Sequence, residues 1–384
     1  MKILRISVNG LALFNGPMEV DFLAQQRVSQ EDRLEMYAVH PQLFLNNVCA
    51  FIGINASGKT SVLKAIRIAL GLLYGEPINN ISASDILSDS SIVEYQIVYM
   101  DKNRQLYRLQ TSIAKKQNVR GGYYIKDERL ERIQLGNKPV KKNLFDFSKS
   151  QCIDDRNDKS TAHDYLKEDI SIVVAHNKEE RETVECYDMM GLTNYNTLLY
   201  ALDPIDALLE FLDPSIEYLK FDKRDSSGRV RLKFHGKKEI MLRDKGQLEF
   251  YLSSGTIKGI NAFMLAFTVM ANGGYLLIDE LENHFNKEIA ATLIKFFMDR
   301  RVNCKGGTLI FTTHYSELLD LFDRNDCINI VRNQGGITTE NLMHILKRND
   351  IRKSDAYQSS YLGGTAPRYE PYIKLKRIAQ KASE

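Results

Sequence analysis

Val48-Cys49-Ala50-Phe51-Ile52-Gly53-Ile54-Asn55-Ala56-Ser57-Gly58-Lys59-Thr60-Ser61 decides the fold. The run Val48–Ile52 is short and wholly apolar, which suits a buried strand. Gly53 to Thr60 fits G-x-x-x-x-G-K-[ST]. Over Thr60–Leu73 the apolar residues Val62, Leu63, Ile66, Ala69, Leu70 and Leu73 recur at three and four, one face of a helix. Strand, glycine turn and helix in this order supply the context that a phosphate-cradling loop requires. The glycines let successive N–H groups converge on one concavity. The helix start adds unpaired N–H groups and the positive end of its dipole. Lys59 can bridge β- and γ-phosphates, and the Thr60 hydroxyl can ligate Mg²⁺. Gly53, Asn55, Ala56, Ser57, Gly58, Lys59 and Thr60 are the candidate nucleotide-binding residues on this ground. A glycine turn without a ligand is the plain alternative, and the flanking strand and helix weigh against it.

Three further pieces lie downstream. Tyr275-Leu276-Leu277-Ile278 runs into two carboxylates, Asp279 and Glu280. A buried parallel strand delivers its carboxyl end to the ligand crevice of an open α/β sheet. Asp279 is expected to hold Mg²⁺, and Glu280 to orient and polarise the attacking water. A core strand ending in an acidic turn reads the same when taken alone. Leu252-Ser253-Ser254-Gly255-Thr256 opens the apolar helix Ile257–Met270, and by itself it is an ordinary serine cap. Thr312-Thr313-His314 ends the following strand, from which His314 could reach a γ-phosphate. A lone histidine there is usually structural. The order of the four pieces turns the reading toward chemistry.

The chain has 384 residues, 43% hydrophobic and 26% charged, with a net charge of +3. These values exclude a disordered chain, a collagen-like repeat and a small disulfide scaffold. At about 150 residues per domain, two to three domains are expected. The charge balance does not announce nucleic-acid binding by itself. Cys49, Cys152, Cys186, Cys304 and Cys327 are too widely spaced for a C-x-x-C metal or redox pair, and they suit reduced thiols in a cytoplasm. Met1–Val8 alternates like a strand rather than a secretory leader. The longest apolar stretch, Ile260–Ala271, is too short to span a bilayer. A cytoplasmic chain without membrane contact is the expectation.

Strands alternating with helices predict an α/β fold, a mostly parallel sheet flanked by helices. Antiparallel strands are expected near the N-terminus, with a hairpin over 91–113 turning at Asp101-Lys102-Asn103. Between 115 and 225 the periodic signals weaken, and an inserted helical or irregular subdomain is expected there. The division is thus 1–114, a lobe with the phosphate loop; 115–225, the insertion; and 226–384, a lobe with the serine-glycine turn, the Asp-Glu strand and His314.

Phosphate loop, Leu-Ser-x-Gly, apolar strand with Asp-Glu, then strand with His is the order that resembles ATP-binding-cassette ATPase heads. The wide gap before the second piece and the opening MKILRISVNGLALFNGPMEVDF resemble the RecF/SMC-like branch. Phe51 to Ser61 is similar to that branch as well, which adds Ser61 to the nucleotide-binding set. In size and layout the chain resembles the stand-alone ATPases of bacterial abortive-infection (antiphage) systems, relatives of the ATPase part of overcoming-lysogenization-defect (OLD) proteins. Leu281-Glu282-Asn283-His284 and Tyr361–Pro367 resemble segments of that group. The resemblance implies ATP and Mg²⁺ as cofactors, with Lys59, Glu280 and His314 catalytic and Thr60 and Asp279 on the metal. It also implies a head-to-tail pair, or a higher homo-oligomer, in which Ser253, Ser254 and Gly255 of one copy cap the ATP held by the other. Asn283 and His284 would lie near the seam. Cassette heads usually carry a glutamine between loop and signature, and Gln96 fits that role only loosely.

No nuclease motif is recognisable, so a system that cuts nucleic acid would need a separate effector such as a nuclease. Three roles stay open at this point: an antiphage sensor or regulator controlling that effector, a RecF/SMC-type ATPase acting directly on DNA, and a scaffold holding an effector inactive. The basic carboxyl end (Lys347, Arg348, Arg352, Lys353, Lys374, Lys376, Arg377) and the stretch Arg120–Arg132 with Tyr123 and Tyr124 leave a nucleic-acid ligand open. Interspersed acids favour a solvated helix face instead.

Overall fold

The structure, a computed structural model, describes residues 1–117, 122–136, 139–158, 166–192, 196–222, 228–283, 286–348, 351–359, 361–363 and 369–382. Strands and helices are numbered along the chain. The central sheet has the order β10 (Cys186–Asp188), β14 (Tyr275–Ile278), β15 (Thr308–Thr313), β5 (Val48–Ile52), β16 (Ile328–Asn333), β17 (Ile337–Asn341). The first five strands are parallel, and β17 returns antiparallel to β16. A second, antiparallel sheet has the order β2 (Met18–Asp21), β1 (Lys2–Asn9), β6 (Ile92–Met100), β7 (Gln105–Lys115), β8 (Tyr123–Gln134), β9 (Gln151–Asp155). A hairpin, β3 (Met36–His40) with β4 (Leu43–Asn46), and a small sheet of β11 (Ile216–Phe221), β12 (Val230–Phe234) and β13 (Ile240–Leu242) complete the strands. The helices are α1 (Lys59–Tyr74), α2 (Val173–Glu180), α3 (Asp206–Leu212), α4 (Ser254–Asn272), α5 (Lys287–Met298), α6 (Leu342–Ile345), α7 (Lys353–Gln358) and α8 (Tyr369–Lys381).

Strand period 2 sorts the central sheet into two faces. Cys49, Phe51, Tyr275, Leu277 and Ile310 enter one core with α1 and the antiparallel sheet. Val48, Ala50, Ile52, Leu276, Ile278, Leu309 and Phe311 enter the other with α4 and α5. Helix α1 is thus sandwiched between two sheets, and eleven of its sixteen residues are buried. Each fully buried Val, Leu, Ile or Phe contributes about 1.5–3 kcal/mol. Coverage of both faces explains why β5, β14 and β15 read as continuous apolar runs rather than alternating ones. Lys2 ties the layers together: its Nζ donates to the carbonyls of Gly273 and Lys305, both at 2.7 Å, beyond the ends of α4 and α5.

Among its described residues, the segment expected as a helical or irregular insertion is largely irregular and carries more strand than α-helix. β8 and β9 extend the antiparallel sheet, β10 forms an edge of the central one, and only α2 and α3, of eight and seven residues, are helical. The strand period was hidden by charge. Glu128 lies in the middle of β8 yet is fully buried, accepting from Thr111 Oγ1 (2.7 Å), Ser171 Oγ (2.8 Å) and the N–H of Ile172 (2.7 Å). The basic and aromatic residues of 123–132 therefore stand on the faces of a strand, with Tyr123 buried, not along one helix; Arg120 lies outside the described residues. Residues 206–221 form α3 and then β11, and this unit packs with Leu252, Ile257 and Ile260 under the start of α4. No helix among the described residues is long and apolar enough to cross a membrane.

Candidate functional site

Parallel register brings three chain segments to one edge. Ile278 pairs with Phe311, and Thr313 with Ile52, so Gly53, Asp279 and His314 all leave the sheet at its carboxyl end. The same parity decides direction. Leu277 and Ile310 face α1, so Asp279 and Thr312, two residues on from each, face α1 as well.

The loop between β5 and α1 is shaped by close approaches. A Cβ on Gly53 would lie 2.4 Å from both Ser57 Oγ and the Val331 carbonyl. Gly58 has φ +97°, and its added Cβ would strike the Ile337 side chain. Ala56 takes the left-handed region too, at φ 62°. No side chain caps α1, and its first turn carries no acidic residue. Its N-terminal N–H groups and dipole are therefore left for an anion. Ser57 is 2% exposed and its Oγ has no partner among the described residues. Asn55 and Ala56 are exposed, Ser61 half-buried.

Lys59 is 5% exposed, with Nζ on the carbonyls of Gly53 (3.0 Å) and Ile54 (3.2 Å). Burial pushes its pKa down, while Glu282, Glu280 and Asp279 pull it back up. Thr60 Oγ1 donates to Asp279 Oδ2 at 2.7 Å. Thr312 Oγ1 donates to the other oxygen, Oδ1, at 2.6 Å. The Glu280 N–H donates to the same Thr312 hydroxyl at 2.7 Å. Glu280 Oε2 accepts from Asn283 Nδ2 at 2.5 Å, and Oε1 is 3.7 Å from His314 Nε2. His314 Nδ1 lies 3.3 Å from Lys59 Nζ. An ammonium can only donate, so Nδ1 accepts and the ring hydrogen sits on Nε2, toward Glu280. Glu282 accepts the His314 backbone N–H through Oε1, and its buried Oε2 is unpartnered among the described residues.

The fold thus brings Gly53–Thr60, Asp279, Glu280 and His314 together. Ser253, Ser254 and Gly255 stand apart: no described hydrogen bond joins them to that cluster. Ser253 caps α4, accepting from the Thr256 N–H at 3.0 Å. Helix α4 runs straight into β14 through Gly273-Gly274 and packs on it, so its N-terminus points to the same carboxyl edge. In its second turn Lys258 Nζ reaches the Asn283 carbonyl at 3.4 Å. Gln96 sits on β6, opposite Ser7 and Gln110, away from the cluster. His284 and residues 364–367 of the tail motif lie outside the described residues. Thr312 and Asn283 were named in the sequence without a role, and Glu282 only by resemblance; the threonine directly before Thr313-His314, on the α1-facing parity, was the signal available.

These donors fit a magnesium nucleotide. A hydroxyl and a carboxylate stand side by side at Thr60 and Asp279, an orphaned Ser57 hydroxyl and a buried lysine line the loop, and the helix start is uncapped. Residues 48–320 match the family model described as "AAA domain, putative AbiEii toxin, Type IV TA system". No curated protein matches the chain. Among solved structures, the SMC head domain from Thermotoga maritima is similar at 14% identity and a TM-score of 0.41, over 89% of this chain and 99% of that chain. The family match spans well over half of the sequence and contains the loop, both carboxylates and His314: the chain belongs to this AAA-domain family, as a nucleotide-binding ATPase domain.

Proposed function

We propose that the chain binds Mg-ATP, pairs head to tail around it and hydrolyses it, acting as the switch of an antiphage defence system that controls a separate effector. The observation that carries the reading is the convergence of Lys59, Thr60, Asp279, Glu280 and His314 on one edge of the parallel sheet. In this reading Lys59 leaves the carbonyls of Gly53 and Ile54 for the β- and γ-phosphates. Thr60 and Asp279 hold Mg²⁺, which when bound neutralises charge on the phosphate oxygens. Glu280 accepts the proton of the attacking water. His314 stands between Lys59 and Glu280, at hydrogen-bond reach of a γ-phosphate held by the lysine. The apical position of the α4 N-terminus, unattached to its own loop, supports capping of a neighbour's nucleotide. The family description, which names a putative toxin of a type IV TA system, supports a defence role with a partner protein.

A mixing experiment tests the sandwich. Lys59→Ala lacks a working loop, and Gly255→Asp lacks a working cap. Each alone is expected to be inactive. Mixed one to one, half of the pairs are hybrids with one intact site, so about one quarter of the wild-type rate returns. No recovery refutes the shared site. In cells, deletion without any change in phage sensitivity refutes the defence role, and protection that survives Lys59→Ala refutes its dependence on ATP.

A further inference from the structure

We propose that Thr312 is the positioning residue that fixes the metal-side carboxylate of Asp279 and the backbone of Glu280 as one unit. The inference rests on the nucleotide-hydrolysis reading and adds a residue to it. Thr312 is completely buried, near the end of β15, after Leu309, Ile310 and Phe311. An aliphatic residue would continue that run and fill the same space. The hydroxyl instead meets two groups, Asp279 Oδ1 at 2.6 Å and the Glu280 N–H at 2.7 Å. A backbone N–H can only donate, so the hydroxyl must accept from Glu280 and spend its single hydrogen on Asp279. That hydrogen bond is charge-assisted and correspondingly short.

The consequences reach both carboxylates. Asp279 has one oxygen held by Thr312 and the other by Thr60, so the carboxylate cannot rotate away from the threonine that shares its metal role. Glu280 has φ 49°, a left-handed backbone that a non-glycine residue adopts only when its surroundings enforce it. The bond from its N–H to Thr312, together with the Asn283 N–H donated to the Glu280 carbonyl at 2.8 Å, holds that backbone, with the side chain lying toward Asn283 and His314. Residues that orient a metal ligand typically change metal affinity or activity by about 10–100-fold when removed. Thr312 carries that duty for the ligand and for the general base together.

Three variants test this: Thr312→Val keeps the shape, Thr312→Ser keeps the hydroxyl, and Thr312→Ala keeps neither but relaxes packing if valine misfolds. Calorimetry measures ATP affinity in EDTA and across a Mg²⁺ titration, and steady-state kinetics give kcat and KM. In Thr312→Val, affinity in EDTA stays within about threefold of wild type. The Mg²⁺ needed for half-maximal binding rises about 10–100-fold, and kcat falls by a similar factor. Thr312→Ser restores both, and Thr312→Ala follows valine. Folded Thr312→Val or Thr312→Ala protein with the wild-type Mg²⁺ dependence and kcat overturns the proposal. So does a serine variant as impaired as valine, which would mark a packing role. A wild-type chain that binds no ATP refutes the nucleotide reading and this inference with it, a result separable from normal wild-type binding with indifferent variants.

Discussion

Replacement of Glu280 by glutamine separates chemistry from binding. The two side chains have one shape, so the left-handed backbone and the bond from the 280 N–H to Thr312 are untouched. A folding change under about 1 kcal/mol is expected for so local a swap. The carboxylate accepts from Asn283 Nδ2 at 2.5 Å through one oxygen and faces His314 Nε2 at 3.7 Å with the other. Glutamine can offer its oxygen to only one of them. Facing Asn283, it turns its amide N–H toward an imidazole nitrogen that already carries a hydrogen, and no proton acceptor is left for water. A positioned general base is worth about 10²–10⁴-fold in rate, which is about 2.7–5.5 kcal/mol of barrier. Binding moves the other way. At an effective dielectric of 20, a unit charge about 5 Å from a phosphate oxygen is repelled by about 3 kcal/mol, so its removal tightens ATP binding, several-fold once salt screens it. Single-turnover hydrolysis of labelled ATP, beside equilibrium binding on the same protein, reads both effects. Hydrolysis within threefold of wild type would refute Glu280 as the base; ATP affinity lost together with hydrolysis would refute the division of labour.

Lys59→Met is expected to weaken ATP binding by about 10²–10³-fold, about 3–4 kcal/mol, because the ammonium is buried beside the loop and its charge is poorly screened; titration calorimetry measures it, and affinity within tenfold of wild type refutes the role. Glu128 gives a pH signature. Burial raises its pKa above the ordinary 4.5 despite three donors and Arg156 nearby. The folded chain therefore holds this proton more tightly than the unfolded one, so the group's stabilisation is full below 4.5 and is lost as pH rises through the raised folded value. Glu128→Gln should match wild type in urea unfolding at low pH and exceed it at pH 8; equal differences at both pH values refute the burial argument. Asp326, 1% exposed, accepts from the Gln25 and Gln26 N–H groups at 2.8 and 2.9 Å and pairs with Arg324. Asp326→Ala leaves the Arg324 guanidinium its second carboxylate, Asp32 at 3.2 Å, but strands the Gln25 and Gln26 N–H groups, and should cost about 1–3 kcal/mol of unfolding free energy, read by denaturant titration.

What the sequence disclosed and what it concealed follow from the range of the interactions. Val48–Ile52, Tyr275–Ile278 and the helix after Lys59 were legible because burial on both faces, or on one stripe, writes itself locally as a run or a period. The phosphate loop was legible because its glycines answer local demands: Gly58 needs a left-handed φ, and Gly53 has no room for a Cβ. β8 was not, because Glu128 sits buried where a strand pattern calls for an apolar residue, and its partners Ser171 and Ile172 come from a distant loop. Thr312 was hidden for a related reason. Its partners are 32 and 33 residues away, and only the pairing of Ile278 with Phe311 puts them in reach. Slip that register by one residue and Thr313 would face Asp279 while Thr312 turned to the α4 side. The site therefore depends on a property of the whole sheet. Two apolar strands, featureless in themselves, are held in phase by the cores on either face, and that phase sets which threonine meets the Asp279 carboxylate.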